Sequence, residues 1–307
     1  MLCAAVAALL VSSPFSPVTG PPQPNAEYIG VLNWNICGEA GGRRGERGYC
    51  PHRNRPGLKV AEIRKMVDER ATDVVMLQEV CGGAPGSHLA LLETALGSGW
   101  EVVWARGSRP DGSTSCRKPL VGELGVAVAV RGRIASSAST NTLAPHRTPS
   151  GRERLSPLLC VDVETWSHRM CTTHLLPSGD RRGAAQAAQI AARVAPDGKP
   201  YVLAGDFNRN SHSAELRPLT ENLTECQDLT RKGGRATHHA WNTRTGEHEF
   251  RTLDHVFVSP DAAGSPAEFA SCRVDMARLD TTRNVKETSP NGFSDHAPLH
   301  VDVRIDR

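Results

Sequence analysis

Six times along this chain of 307 residues, a strand-like apolar run meets a polar, chemistry-bearing group at one of its ends. The groups are Trp34-Asn35-Ile36, Leu77-Gln78-Glu79-Val80, Thr173-His174-Leu175, Gly205-Asp206-Phe207-Asn208, Leu253-Asp254-His255-Val256-Phe257 and Ser294-Asp295-His296. A lone group of this kind is explained by a solvated turn, because Asp and Asn bond their own backbone there. Six in one chain constrain it far more. Asp and His side chains together can bind a divalent cation and move a proton.

Between these groups the pattern alternates. Tyr28–Ile36, Asp73–Leu77, Trp100–Ala105, Gly125–Val130, Leu158–Glu164, Arg169–His174, Tyr201–Ala204, Thr252–Val258 and Leu299–Val303 read as strands. Leu58–Arg70 places Leu58, Ala61, Ile63, Met66 and Val67 close to helical spacing. Ser87–Leu96, the Ala-rich Ala184–Val194 and the short His212–Leu219 read as further helices. Hairpins among the strands argue against a doubly wound parallel sheet. No shift of composition marks an internal boundary, so residues 27–307 are expected to form one catalytic domain behind a signal-like segment, residues 1–26. A net charge of +3 tolerates a polyanionic substrate without demanding one.

Of nine cysteines, Cys3 lies in an N-terminal apolar run, leaving an even eight with no CxxC pair. That is a poor fit to a zinc ribbon and a good one to the disulfides of an exported chain. Cys160 and Cys171 face each other across a hairpin closed by Thr165–His168 and are the first candidate pair. Cys37 and Cys50 are the second. The alternative is a set of free thiols in a cytosolic enzyme. Leu2–Val11 has the length of a signal-peptide core and is too short to span a bilayer. No Lys or Arg precedes Arg43, so the true start lies upstream or the signal is atypical. These features point to a secreted or cell-envelope protein with no stable membrane span.

In their order, the six groups resemble the endonuclease/exonuclease/phosphatase superfamily, the group of DNase I, apurinic endonucleases, bacterial sphingomyelinases and inositol polyphosphate 5-phosphatases. The likeness runs from Ile29 to Val303. It implies an α/β fold, a four-layer sandwich of two packed mixed β-sheets flanked by helices, with strand ends converging on the site. It also implies a monomeric hydrolase that cleaves a phosphodiester by in-line attack of water, with Mg²⁺ or Mn²⁺ as cofactor. Carried over residue by residue, Glu79 is the principal metal ligand, with Asn35 and Asp295 on the metal side. Asp206 orients or deprotonates the water, and Asn208 and His174 hold phosphate oxygens. His296, paired with Asp254, is a base or a phosphate ligand. His255 stands where the family often has Tyr and is read as structural.

The residue types suit those roles. A Glu supplies the hard oxygen that Mg²⁺ prefers. A carboxylate on one imidazole nitrogen fixes the tautomer and raises basicity. Asn33 shares a strand face with Asn35, and Asp206 and Asn208, two apart on an extended chain, share another, with Phe207 turned to the core. His52, His238, His239 and His248 read as solvated surface.

Substrate is read from loops. Gly38–Arg55 carries Arg43, Arg44, Arg47, Arg53 and Arg55, able to hold phosphates along a nucleic-acid backbone. Its alternative is a solvated loop tied by Cys37 and Cys50. The loops show no aromatic cluster of the kind a sphingomyelinase would insert into a membrane. The reading is therefore a nuclease acting on DNA or RNA. The alternatives are a sphingomyelinase, an inositol-phosphate phosphatase, or an inactive binding effector of the same fold.

Overall fold

The computed structural model describes residues 26–39, 49–143, 148–149, 151–177, 182–227, 235–283 and 289–306. Its strands are β1 (Ala26–Asn35), β2 (Val74–Gly82), β3 (Trp100–Arg106), β4 (Glu123–Arg131), β5 (Ile134–Asn141), β6 (Pro157–Val163), β7 (Arg169–His174), β8 (Tyr201–Asp206), β9 (Thr224–Glu225), β10 (His238–Asn242), β11 (Glu247–Arg251), β12 (Asp254–Val258), β13 (Phe269–Val274) and β14 (Leu299–Asp306). The helices are α1 (Pro56–Arg70), α2 (His88–Leu96), α3 (Arg182–Arg193) and the short α4 (Arg217–Thr220).

The strands form two mixed six-stranded sheets, ordered β13-β14-β1-β2-β4-β3 and β5-β6-β7-β8-β12-β9, with β10-β11 as a separate hairpin. Each sheet has one parallel pair, β1 with β2 and β7 with β8, and the rest are antiparallel. Helices α1 and α3 supply the two crossovers that parallel neighbours require.

Period two along each strand builds the layers. Ile29 and Val31 of β1 face inward, packing with Val74 and Met76 and, from the second sheet, with Val161, Met170, Val202 and Val256. Leu32 and Trp34 face outward and pack on Ile63 and Met66 of α1 and Leu89 and Leu92 of α2. On the far side Leu203, Phe207 and Phe257 pack on Ala187 and Ile190 of α3. The order helix, sheet, sheet, helix is the expected four-layer sandwich. Each fully buried side chain of this size stabilises the fold by roughly 1.5–3 kcal/mol.

Toward one end of the sandwich the inner face turns polar. The Gln78 amide donates to Asn33 Oδ1 and to Thr172 Oγ1, both at 2.9 Å, and Asn33 donates to the Gly205 carbonyl at 3.4 Å. This buried network joins β1 and β2 to β7 and β8. It gives Asn33 a structural place one strand period before Asn35.

Four disulfides are present: Cys37–Cys50, Cys81–Cys116, Cys160–Cys171 and Cys226–Cys272. Cys160 and Cys171 are direct partners in the β6–β7 register. The expected strands and helices are found, but β5, β9, β10, β11 and β13 lie beyond what the pattern showed. Strand β5, Ile-Ala-Ser-Ser-Ala-Ser-Thr-Asn, is a largely exposed sheet edge with almost no apolar alternation. Among the described residues, no helix is long and apolar enough to cross a membrane.

Candidate active site

The sheet register assembles the site. His174 closes β7, Asp206 closes β8 and Asp254 opens β12, and the pairings His174 with Asp206 and Asp206 with Asp254 place the three side by side. From the other sheet, β1 ends at Asn35. Strand β2 carries a bulge: Leu77 pairs Ala127 and Val80 pairs Gly125, so one extra residue is inserted, and Glu79 takes a positive φ of 54°. Without the bulge, Glu79 would continue the outward face of Val75 and Leu77. The extra residue re-aims it, as bulges beside functional sites do.

Asp206 is the hub. Its Oδ2 accepts from Asn35 Nδ2 at 3.0 Å and lies 3.3 Å from His174 Nε2 and 3.6 Å from His296 Nε2. Burial alone would raise its pKa, but His296 and His174 outweigh it and hold the carboxyl well below the usual range. His296 Nδ1 lies 2.7 Å from Asp254 Oδ2. Burial pulls the His296 pKa down, yet Asp254 and Asp206 win and hold it well above the ordinary imidazole value. His174 is raised in the same way, Asp206 outweighing burial. Asp254, fully buried, is raised by that burial, which His296 opposes.

The segment carrying Asp295 and His296 is clamped. Trp34 Nε1 donates to the His296 carbonyl at 2.8 Å, and Ser294 Oγ donates to the Asn35 carbonyl at 2.8 Å. Hairpin strand β10 adds backbone bonds from His239 N–H to the Asp295 carbonyl and from Ala297 N–H to the Thr237 carbonyl.

Glu79 and Asp295 are the groups that fit a divalent cation. Glu79 Oε2 is buried and makes no hydrogen bond. Burial pushes the Asp295 carboxyl up to about 6, with Glu79 and Asp206 adding to the rise against His296 and Lys59. Two carboxylates close enough to repel each other, one with an orphaned oxygen, supply hard oxygen ligands and want a positive charge between them. Cys37 and Cys50, which also lie near Glu79, are bonded to each other and offer no thiolate.

Glu79, His174, Asp206, Asn208, Asp295 and His296 line one cavity of about 400 Å³ that also holds Arg109, Arg117 and Arg154 on its wall. The match of the Endonuclease/Exonuclease/phosphatase family model spans residues 32–296, the stretch that contains every one of these groups. The chain belongs to the endonuclease/exonuclease/phosphatase family. Members are phosphoester hydrolases and are generally dependent on a divalent metal. The fold is similar to the human Nocturnin catalytic domain with bound sulfate (19% identity, TM-score 0.60, covering 94% of this chain and 99% of that one). It is also similar to an endonuclease/exonuclease/phosphatase family protein from Bacteroides thetaiotaomicron (18% identity, TM-score 0.63, covering 92% and 97%). A mannosyl-6-phosphatase from the same bacterium matches at 17% identity and TM-score 0.60, covering 90% and 99%. No curated protein sequence matches the chain.

The structure amends the residue-level reading in several places. Asn35 meets the carboxylates through its amide nitrogen, 3.0 Å from Asp206 and 3.4 Å from Glu79, while its Oδ1 accepts from Cys37 N–H at 2.9 Å. The Oδ1 expected to reach a cation thus accepts one bond and keeps a second lone pair. Asn208 does not share an extended strand with Asp206. It has a positive φ of 53°, its N–H donates to Asp206 Oδ1 at 2.8 Å, and its Nδ2 donates to the Leu175 carbonyl and lies 3.2 Å from His174 Nε2. The turn and the site are the same feature. Phe207 is in the core as expected. Arg43, Arg44 and Arg47 lie outside the described residues.

Sequence reasoning missed His238. Expected on the solvated surface, it lines the cavity instead, with its ring centroid 4.7 Å from that of His296 and its Nε2 4.0 Å from Asp295 Oδ2. Burial, aided by the His296 charge, pushes its pKa down to about 3. His239 is buried too, bonded to the Asp280 carbonyl and to His248. On the β10–β11 hairpin, His239, Trp241, His248 and Phe250 gather on one face, Phe250 half exposed. The signal was available: two short alternating runs flank the Thr243-Arg244-Thr245-Gly246 turn.

Proposed function

We propose that the chain is an exported phosphodiesterase, dependent on Mg²⁺ or Mn²⁺, that hydrolyses nucleic acid by in-line attack of water. The observation that carries this reading is the Asp254–His296–Asp206 chain opening, beside Glu79 and Asp295, into one arginine-walled cavity. Glu79 and Asp295 would hold the cation, which when bound supplies Lewis-acid polarisation and charge neutralisation at a phosphoryl oxygen. Asp206, with its depressed pKa, is a weak base at neutral pH. Its work is to orient the water, itself held by Asn35. His296 and His174, whose pKa values their carboxylate neighbours raise, suit donation to the charge growing on the non-bridging oxygens. Asp254 fixes the His296 tautomer and its charge.

Arg109, Arg117 and Arg154 on the cavity wall suit a substrate with further anionic groups. Arg109 is held 3.0 Å from Glu39. The polar hairpin tip, Thr243-Arg244-Thr245, is unsuited to membrane insertion, which disfavours a sphingomyelinase. The four disulfides and the apolar run Leu2–Val11 support export, and the uninterrupted family match supports one catalytic domain over residues 27–307.

The test is a panel of plasmid DNA, RNA, sphingomyelin and an inositol polyphosphate, each assayed with Mg²⁺ and with EDTA. Mg²⁺-dependent cleavage of DNA or RNA is expected. Turnover of only the lipid or the inositol phosphate overturns the nuclease assignment, and no turnover of any overturns the enzyme.

A further inference from the structure

Lys59 is fully buried on α1, between residues that pack the outer core. Lysine is almost never found there unless its charge is partnered. Its ammonium donates to the carbonyls of Ile36, of Cys37 at 3.0 Å and of Phe293 at 2.9 Å. An ammonium has three N–H donors, and each meets one acceptor. Ile36 and Cys37 continue directly from Asn35 at the end of β1, and this segment holds the Glu79 backbone, Ile36 N–H donating to the Gln78 carbonyl at 3.2 Å and Gly38 N–H to the Glu79 carbonyl at 3.1 Å. Phe293 leads directly into Ser294, Asp295 and His296. One side chain thus ties together the two segments that carry opposite sides of the site, and no other donor to these three carbonyls competes with it among the described bonds.

Burial pushes the Lys59 pKa down to about 7, and Asp295, Glu79 and Asp280 oppose that fall. Lys59 therefore touches the backbone beneath the carboxylates but none of the groups that would meet substrate.

Building on the cation site proposed above, we propose that Lys59 is a positioning residue: by tying the Ile36–Cys37 and Phe293 segments together, it sets the distance between Glu79 and Asp295 and so the affinity of that site for a divalent cation. The proposal separates two effects of opposite sign. Removing a nearby positive charge favours cation binding by simple electrostatics. Removing the tie lets the ligands drift and disfavours it. Positioning predicts that the second effect wins.

The test compares wild type with Lys59→Met, which keeps the length and removes the donors. Mn²⁺ binding is read by electron paramagnetic resonance, kcat and KM are read on bis(p-nitrophenyl) phosphate at saturating Mn²⁺, and folding is read by thermal melting. Losing a residue that orients metal ligands typically weakens binding or activity about 10–100-fold, and a loss in that range is expected in Mn²⁺ affinity and in kcat, with KM little changed. A folded Lys59→Met protein that binds Mn²⁺ as tightly as wild type, or more tightly, overturns the proposal. Should that variant fail to fold, wild-type protein labelled with ¹⁵N-lysine decides. The Lys59 Nζ resonance should shift on Mg²⁺ titration with the midpoint of the activity, and a resonance blind to Mg²⁺ overturns the proposal. A wild type that binds no cation refutes the reading of the site itself, whereas equal binding by both proteins refutes only the role of Lys59.

Discussion

Replacing Asp295 by Asn should stabilise the metal-free protein while disabling it. Burial and the neighbouring carboxylates raise the Asp295 pKa from 3.8 to about 6. A raised carboxyl holds its proton more tightly in the fold than in the unfolded chain. The ionised form is therefore disfavoured on folding, by an amount that is absent below the unfolded pKa, grows between 3.8 and about 6, and is fully present above. Two pH units correspond to about 3 kcal/mol. A quarter of the side chain's surface, 24%, remains exposed, so solvent screens part of this and about 1–3 kcal/mol is expected. At roughly 2 °C per kcal/mol for a chain of this size, Asp295→Asn should melt roughly 2–6 °C above wild type in EDTA at about pH 7.5. Near pH 4 most of the difference should vanish, because the wild-type carboxyl is then protonated. Adding Mg²⁺ should reverse the order, since only wild type gains ligand-binding free energy. A less stable Asp295→Asn protein in EDTA, or a gain equal at both pH values, would show that ionised Asp295 does not strain the fold. Asp206→Asn gives the opposite control. Its pKa is depressed, so its charge stabilises the fold above the unfolded value, and the variant should lose stability at neutral pH.

Further outcomes follow from the same geometry. Asp254→Asn leaves the His296 ring in place but removes the anion 2.7 Å from Nδ1, so kcat should fall about 10²–10⁴-fold with KM little changed, read by steady-state kinetics. His255 is fully buried, 3.3 Å from Glu225 and 2.8 Å from the Arg209 carbonyl, so His255→Ala should cost about 3–5 kcal/mol by denaturant melting while the folded fraction keeps near-normal kcat. Opening Cys160–Cys171, which are 11 residues apart, with a double Ser replacement should cost about 2–3 kcal/mol in the same assay, with activity at low temperature retained.

What could be read from the sequence follows from where each signal is stored. Strand boundaries announce themselves, because apolar runs stop at Asn35 and Asp206 and one starts at Asp254, while Gln78 and Glu79 interrupt the apolar run of β2. The α2 start was legible because Ser87 caps it, accepting from Ala90 N–H at 3.3 Å. The aim of Glu79 was not legible, since it depends on a one-residue register slip between β2 and β4. Lys59 was hidden because a lysine on an amphipathic helix normally points to water. His238 was hidden because its place is set by pairing of the hairpin with the Asp295–Ala297 segment, a contact distant in sequence. The Cys81–Cys116 and Cys226–Cys272 pairs likewise join segments that only the packed sheets bring together.

Glu79 is proposed above as a ligand of the cation that supports attack on phosphorus. The most direct measurement is a Mg²⁺ titration of bis(p-nitrophenyl) phosphate hydrolysis by EDTA-stripped protein, wild type beside Glu79→Gln. The stripped wild type should show no turnover and recover as Mg²⁺ is added, and Glu79→Gln should show no recovery at concentrations that saturate wild type. Full turnover in EDTA, or a Glu79→Gln titration that overlays wild type, would contradict it.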